Sequence, residues 1–250
     1  MKELVHLFLQ IAAILTECGA EISRVEESLT RMCAAYGAKA TNAYATIALI
    51  SVTVETANGE IYTETKRPKQ SSNNFDLLDR ANDLVRRIST TAPSAQEIRE
   101  SLEGIERKTH AWYASVIAQG GISAGFCLFF GSRSPLECIL AFLIGATLGG
   151  VGEILANLAA NRLLKSFVLS FSASSLAFLA AYFNVIETPD YIIIGYIMNL
   201  IPGLGFTGAM RDLFVGDLFT GMVRILSALL VASAIAVGFV VTLIIFGGVV

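Results

Sequence analysis

The chain has 250 residues, 54% of them hydrophobic and 16% charged, with a mean hydropathy of +0.63 and a formal net charge of −3. Soluble domains carry about 25% Asp, Glu, Lys and Arg, and here the charge is uneven, with 28 charged side chains in residues 1–111 and 11 in residues 112–250. A single globular enzyme, a secreted disulfide scaffold and a disordered tail are excluded. The expected architecture is an α+β cytoplasmic domain at 1–111 followed by an all-α membrane domain of five transmembrane helices at 112–250.

In chain order, Leu4 to Leu15 resembles the apolar core of a secretory signal, but His6, Gln10, Glu17, Glu21 and Arg24 fall on one helix face. The segment therefore belongs to the folded domain. Helices are predicted over Lys2–Cys18 and Ala20–Tyr36, with Gly19 and Gly37 as stops. Tyr44 to Ala57 reads as strand, and Asn58-Gly59 as a two-residue type I′ turn leading into a returning strand over Glu60–Lys66. That register sets Val54 against Thr63 and Glu55 against Tyr62, in a sheet containing the hairpin. Lys66 to Asn74 is a polar loop with three cations, either a solvated turn or a basic lip near a transport path. Two charged helices follow, over about Phe75–Thr90 and Ser94–Lys108, the second opened by a Ser94/Glu97 capping box after Pro93. Arg107, Lys108 and His110 then mark the start of the membrane.

Spans are predicted at 112–130, 136–160, 166–183, 191–210 and 221–246, each long enough at about 1.5 Å per residue to cross a core of about 30 Å. Arg107, Lys108, Arg162, Lys165 and Arg211 lie on one side and only Arg133 on the other, which puts the N-terminus in the cytoplasm and the C-terminus outside a bacterial inner membrane. Cys18, Cys33, Cys127 and Cys138 form no ligand-like cluster and read as reduced, small apolar residues. No basic stripe suits nucleic acid. Motifs for ATP, zinc hydrolysis or a serine nucleophile are absent, so no cofactor, metal or catalytic residue is expected.

Three stretches carry candidate chemistry. In the fourth span, Pro202 lies about 16 Å from the outer edge, followed by Gly203, Gly205 and Gly208, and the helix should unwind there. Irregular backbone at that depth is tolerated where protein buries it or where it lines a wet cavity, and broken helices are how many transporters present backbone to substrate. Asn199 stands one turn before the break; the alternative is a proline kink for close packing. In the second span Gly145, Gly149, Glu153, Asn157 and Asn161 form a small-then-polar ridge, beside a small-residue seam at Gly152, Ala156 and Ala160. Glu153 is an intramembrane carboxylate about 13 Å inside the cytoplasmic boundary, suited to carrying a proton or meeting a substrate ammonium. Its bland reading is a carboxylate facing an aqueous vestibule. Between the fourth and fifth spans, Arg211, Asp212, Asp217 and Arg224 are either interfacial anchors or a cytoplasmic gate in which Arg211 pairs with Asp217, or Arg224 attracts a substrate carboxylate. Gln119, Ser170 and Ser174 read as packing and interhelical hydrogen bonds.

The stretches ECGAEISRVEESLTRMCAAYG, FDLLDRANDLVRRI, AQEIRESLEGIER and LIPGLGFTGAMRDLFVGDLFTGMVRI resemble the N-terminal half of the threonine/serine exporter family. The most specific part is the series Pro202-Gly203, Arg211-Asp212, Gly216-Asp217 and Gly221 to Arg224. The resemblance implies proton-motive-force-driven export of small hydroxy amino acids. No second set of spans follows, so it implies the split type, working with a second small membrane protein that supplies the C-terminal half; some split members are associated with succinate-like dicarboxylates. A homo-oligomer is the other way to complete such a transporter. The competing class is a non-transporting sensory or assembly subunit anchored by its spans, with a membrane-bound hydrolase behind it. Glu153 and Asn199 favour transport, since an anchor has no use for polar groups inside a span.

Overall fold

The computed structural model describes residues 1–69, 74–106, 112–158 and 161–246. Contacts divide the chain into two units, Met1–Thr109 with Thr207–Arg224, and His110–Phe206 with Ile225–Val250.

In the N-terminal unit, α1 (Lys2–Glu17) is almost wholly buried from Val5 to Thr16. It packs on α2 (Ile22–Ala35), α3 (Phe75–Thr91), α4 (Ala95–Glu106) and two strands of an antiparallel sheet ordered β1-β2-β3. The polar face expected on α1 is present, with Gln10 Nε2 3.0 Å from His6 Nε2. Burial pushes the Cys18 and Cys33 thiols up to about 11, as suits small apolar core residues. Ser94 and Glu97 form the capping box ahead of α4: Ser94 N–H and Oγ donate to Glu97 Oε2 at 2.7 and 2.9 Å, and Glu97 N–H donates to Ser94 Oγ at 3.4 Å.

The sheet differs from expectation in two ways. Tyr44 to Ala57 is not one strand: β1 (Ala38–Ala45) ends, Thr46 to Leu49 turns, and β2 (Ile50–Thr56) begins. Thr46 Oγ1 accepts from the Ala48 and Leu49 amides, which makes that turn. The hairpin from β2 to β3 (Ile61–Lys66) has a three-residue loop, with Thr56 N–H bonded to the Glu60 carbonyl at 2.9 Å. A type I′ turn needs positive φ at both central residues, yet Gly59 has φ +79 and Asn58 is not in that region. The register moves by one residue, so Val54 faces Tyr62 and Val52 faces Glu64. Glu64 thereby shares the face of Val52 and Val54 under α1, where its Oε1 lies 2.5 Å from His6 Nδ1.

The second unit holds α5 (Trp112–Phe129), α6 (Pro135–Asn157), α7 (Arg162–Tyr182), α8 (Asp190–Leu200) and, from Ile225, most of α10 (Leu218–Phe246). Four of these helices are long and apolar enough to cross a membrane. A fifth crossing is made if α8 and α9 (Gly203–Val215), bent by 44° at their junction, count as one broken span. The chain is a multi-pass membrane protein. Glycines let the helices close: a Cβ on Gly120 would lie 2.8 Å from the Phe142 carbonyl, one on Gly195 2.6 Å from the Ser123 carbonyl, and one on Gly238 2.7 Å from the Phe167 carbonyl. Ser170 Oγ donates to the Ile235 carbonyl at 2.8 Å, the interhelical bond expected of it. Arg107, Lys108 and His110, part of the Lys66–Asn74 loop, and Ala159 and Ala160 of the predicted second span lie outside the described residues.

Candidate functional site

The predicted break is present. α8 ends at Leu200, Ile201 turns extended with φ −61 and ψ 127, and α9 starts at Gly203. Proline has no N–H for the ladder, so the chain closes the gap with a short Gly203 N–H bond to the Ile201 carbonyl at 2.8 Å, and Phe206 N–H returns to the Pro202 carbonyl at 2.9 Å. Side chains leave the break open. A Cβ on Gly203 would touch nothing within 4 Å, one on Gly205 would meet only Pro202 Cβ, and Ile201 is exposed.

One turn before the break, Asn199 Nδ2 donates to Gln119 Oε1 of α5 at 3.4 Å. Gln119 is held from two sides. Its backbone carbonyl accepts from Ser123 Oγ at 3.0 Å, and its side chain fills the space that a Cβ on Gly149 would enter, at 3.1 Å. The glycine end of the predicted α6 ridge therefore seats the glutamine that meets Asn199, and Gln119 makes the packing contact and interhelical hydrogen bond expected of it. Tyr196, one turn earlier on α8, is fully buried, and its hydroxyl has no hydrogen-bond partner among the described residues.

Glu153 stands apart from this cluster. It lies on an exposed part of α6, accepts from Ser115 Oγ at 3.1 Å, and precedes the last helical residue, Asn157, by four positions. That is about 6 Å from the helix end, whereas the 13 Å expected from the sequence counts nine helical residues on to Arg162, which instead begins α7. The Asn157 side chain lies outside the described residues.

The buried carboxylate of this unit is one that sequence reasoning passed over. Glu137, 5% exposed in the first turn of α6, accepts from Ser132 Oγ at 2.5 Å and from Thr188 Oγ1 at 2.9 Å. Ser134-Pro-Leu-Glu137 has the spacing of a capping box. Ser134 makes no side-chain cap, and Glu137 ties the α5–α6 connection to the α7–α8 connection instead.

Around α9 and the start of α10 the charges pair differently from expectation. Arg224 Nη1 donates to Asp212 Oδ2 at 2.6 Å, with Asp212 1% and Arg224 15% exposed. Arg211 Nε lies 3.7 Å from Glu21 Oε2. Asp217 is engaged elsewhere, accepting from the Thr220 amide at 3.1 Å as a cap on α10 just after Gly216, which has φ +97. The predicted Arg211–Asp217 pair is replaced by Arg211–Glu21, because capping takes Asp217 and the α1–α2 turn offers another carboxylate.

The family described as "Putative threonine/serine exporter" matches residues 6–246. The chain belongs to that family. Among curated relatives of this exporter family, a "Probable threonine/serine exporter" from Mycobacterium tuberculosis is 25% identical over 175 residues, which is 69% of this chain and 32% of that protein. The chain thus matches about a third of that relative's length. A "Probable succinate transporter subunit YjjP" from Klebsiella aerogenes is 21% identical over 98% of this chain and 95% of the relative, and its namesake from Escherichia coli K12 is 21% identical over 98% and 96%. No solved structure matches the chain.

Proposed function

We propose that the chain is one subunit of a proton-motive-force-driven secondary exporter of small amino acids (threonine or serine) or small carboxylates, completed by a second membrane protein that supplies the C-terminal half. The observation that carries this reading is the open break at Ile201–Gly203 beside the Asn199–Gln119 amide pair. Unwound backbone within a span is tolerated where protein covers it or where it lines a wet path, and described residues of this chain leave it open. The Klebsiella and Escherichia relatives of matching length are named as subunits, which supports a partner at that face; a second copy of the chain is the other candidate.

The proposed orientation is that of the sequence reading, in a bacterial inner membrane with residues 1–111 cytoplasmic and the C-terminus outside. Substrate enters past the gate of Arg211, Asp212, Asp217 and Arg224 and reaches Asn199, Pro202, Gly203 and Gly205. Protons move by way of Glu153, with Asn157 beside it in sequence. Both substrate classes carry a carboxylate, for which the gate arginines are the natural attraction.

The test is export from cells or proteoliposomes containing this chain and its partner. Transport of threonine or succinate dissipated by an uncoupler is expected. Glu153→Gln with full coupling removes Glu153 from the proton path, and Pro202→Ala at the wild-type rate reduces the break to a packing kink.

A further inference from the structure

The α1–α2 turn closes α1 locally and leaves two of its groups free for partners far along the chain. Gly19 takes φ +86, a conformation that costs a side-chain-bearing residue but not glycine, and Ala20 N–H returns to the Leu15 carbonyl at 2.9 Å. That closes α1 and leaves the Ala20 carbonyl to accept from Arg224 Nη2 at 3.4 Å. Glu21 occupies the N-cap of α2 without capping it by its side chain; its carboxylate lies instead 3.7 Å from Arg211 Nε and is 18% exposed. Two groups of the turn thus address two arginines almost two hundred residues later in the chain.

Arg224 needs such a partner. A buried ion pair is sound only when the donors left over by the carboxylate are also satisfied. Asp212 takes one arm of the guanidinium and the Ala20 carbonyl meets the other. Contacts accordingly group Thr207–Arg224 with Met1–Thr109. The junction that leads into this segment is weak by comparison: Ile201 is extended, Pro202 has no N–H, and Gly203 is unsupported by side chains.

We propose that the α1–α2 turn is a positioning element of the gate: the Ala20 carbonyl and the Glu21 carboxylate fix Arg224 and Arg211, and so hold residues 207–224 to the N-terminal unit beyond the break at Ile201–Gly203. The N-terminal unit then has a function of its own, as the anchor of the gate. The inference takes its transport consequence from the exporter reading above; the clasp itself is independent of that reading.

Two measurements on the full chain in lipid nanodiscs and in proteoliposomes with its partner test it. Hydrogen exchange followed by peptide mass spectrometry is expected to show that Arg224→Lys, whose ammonium lacks the two-armed fork, raises exchange at residues 18–22 about tenfold and leaves the Ile50–Thr56 strand unchanged. In transport, Glu21→Gln is expected to lower turnover at an unchanged melting temperature. Glu21→Arg and Arg211→Glu each impair export, and the double swap restores it to at least about half of wild type. Unaltered exchange at residues 18–22 in Arg224→Lys, or a double swap no better than its singles, overturns the proposal. Should the wild-type pair move no substrate, the exporter reading fails, and the exchange result alone decides the clasp.

Discussion

Replacing Glu137 separates two roles that a buried carboxylate can have. Alanine at this position removes the acceptor for both Ser132 Oγ and Thr188 Oγ1, and Ser132 is itself only 4% exposed. Each hydrogen bond to a charged group contributes about 1.5–3 kcal/mol; with one hydroxyl finding another acceptor and the other left without one, the cost is about 1.5–3 kcal/mol, with the truncated side chain leaving a void. For a chain of this size that lowers the melting temperature by roughly 3–12 °C. Glutamine retains one oxygen of the same reach and presents an amide to the other hydroxyl, which can turn to accept, so Glu137→Gln is expected within about 1 kcal/mol of wild type. The assay is thermal unfolding of the purified chain in nanodiscs, followed by tryptophan fluorescence and by circular dichroism. Equal melting temperatures for the alanine variant and wild type refute the clasp. Equal losses for alanine and glutamine refute hydrogen bonding as its basis and assign the effect to the charge.

Gly195→Ala is expected to destabilise or misassemble the second unit, since its Cβ would meet the Ser123 carbonyl at 2.6 Å and the Cys127 amide at 3.2 Å, backbone that cannot step aside. Gly121→Ala and Gly125→Ala, with nothing within 4 Å, are expected to leave the melting temperature of the isolated chain unchanged; the reverse order would contradict the described packing. In the N-terminal unit, hydrogen bonds from the Ser94 backbone and hydroxyl hold the Glu97 carboxyl below its ordinary value. A depressed folded value means that this contribution to stability is present above the ordinary carboxylate range and is lost as pH falls through the lower folded value. Ser94→Ala is expected to flatten the dependence of stability on pH at the acid end, measured by denaturant midpoints from pH 3 to 7. A parallel dependence in the variant would remove Glu97 from it.

Composition and periodicity made the apolar spans, the broken helix and the α4 capping box legible, because each depends on local chemistry: a proline without an N–H, a run of apolar residues, a serine three residues before a glutamate. What depends on partners distant in sequence was not legible. Asn58-Gly59 suits either a two- or a three-residue loop, and the choice made by the fold sends Glu64 under α1 to His6. Gly145 and Gly149 do line α6 against α5, but Asn161 of the predicted ridge lies off that helix and caps α7, and spacing could not say that Gly149 seats Gln119 while Glu153 stays exposed. Glu137 meets Thr188, 51 residues away, which no local pattern shows, and the arginine pairing depended on Glu21, a residue of the opening helices. Charge near a membrane end names candidates; the path of the chain decides which of them meet.

α10 has 29 residues, about 43 Å at 1.5 Å per residue, well beyond a hydrocarbon core of about 30 Å. The 22 residues from Ile225 to Phe246 alone measure about 33 Å, which places Arg224 at the limit of a helix already long enough to span. In the proposed function, lipid composition would therefore act on Arg224. In longer-chain phospholipids the hydrocarbon boundary advances toward Arg224 and opposes any opening that would expose its charge, whereas a thinner membrane leaves it in the headgroup region. If the chain works as the proposed exporter subunit, its transport rate is expected to depend on acyl-chain length, and replacement of Arg224 is expected to change that dependence.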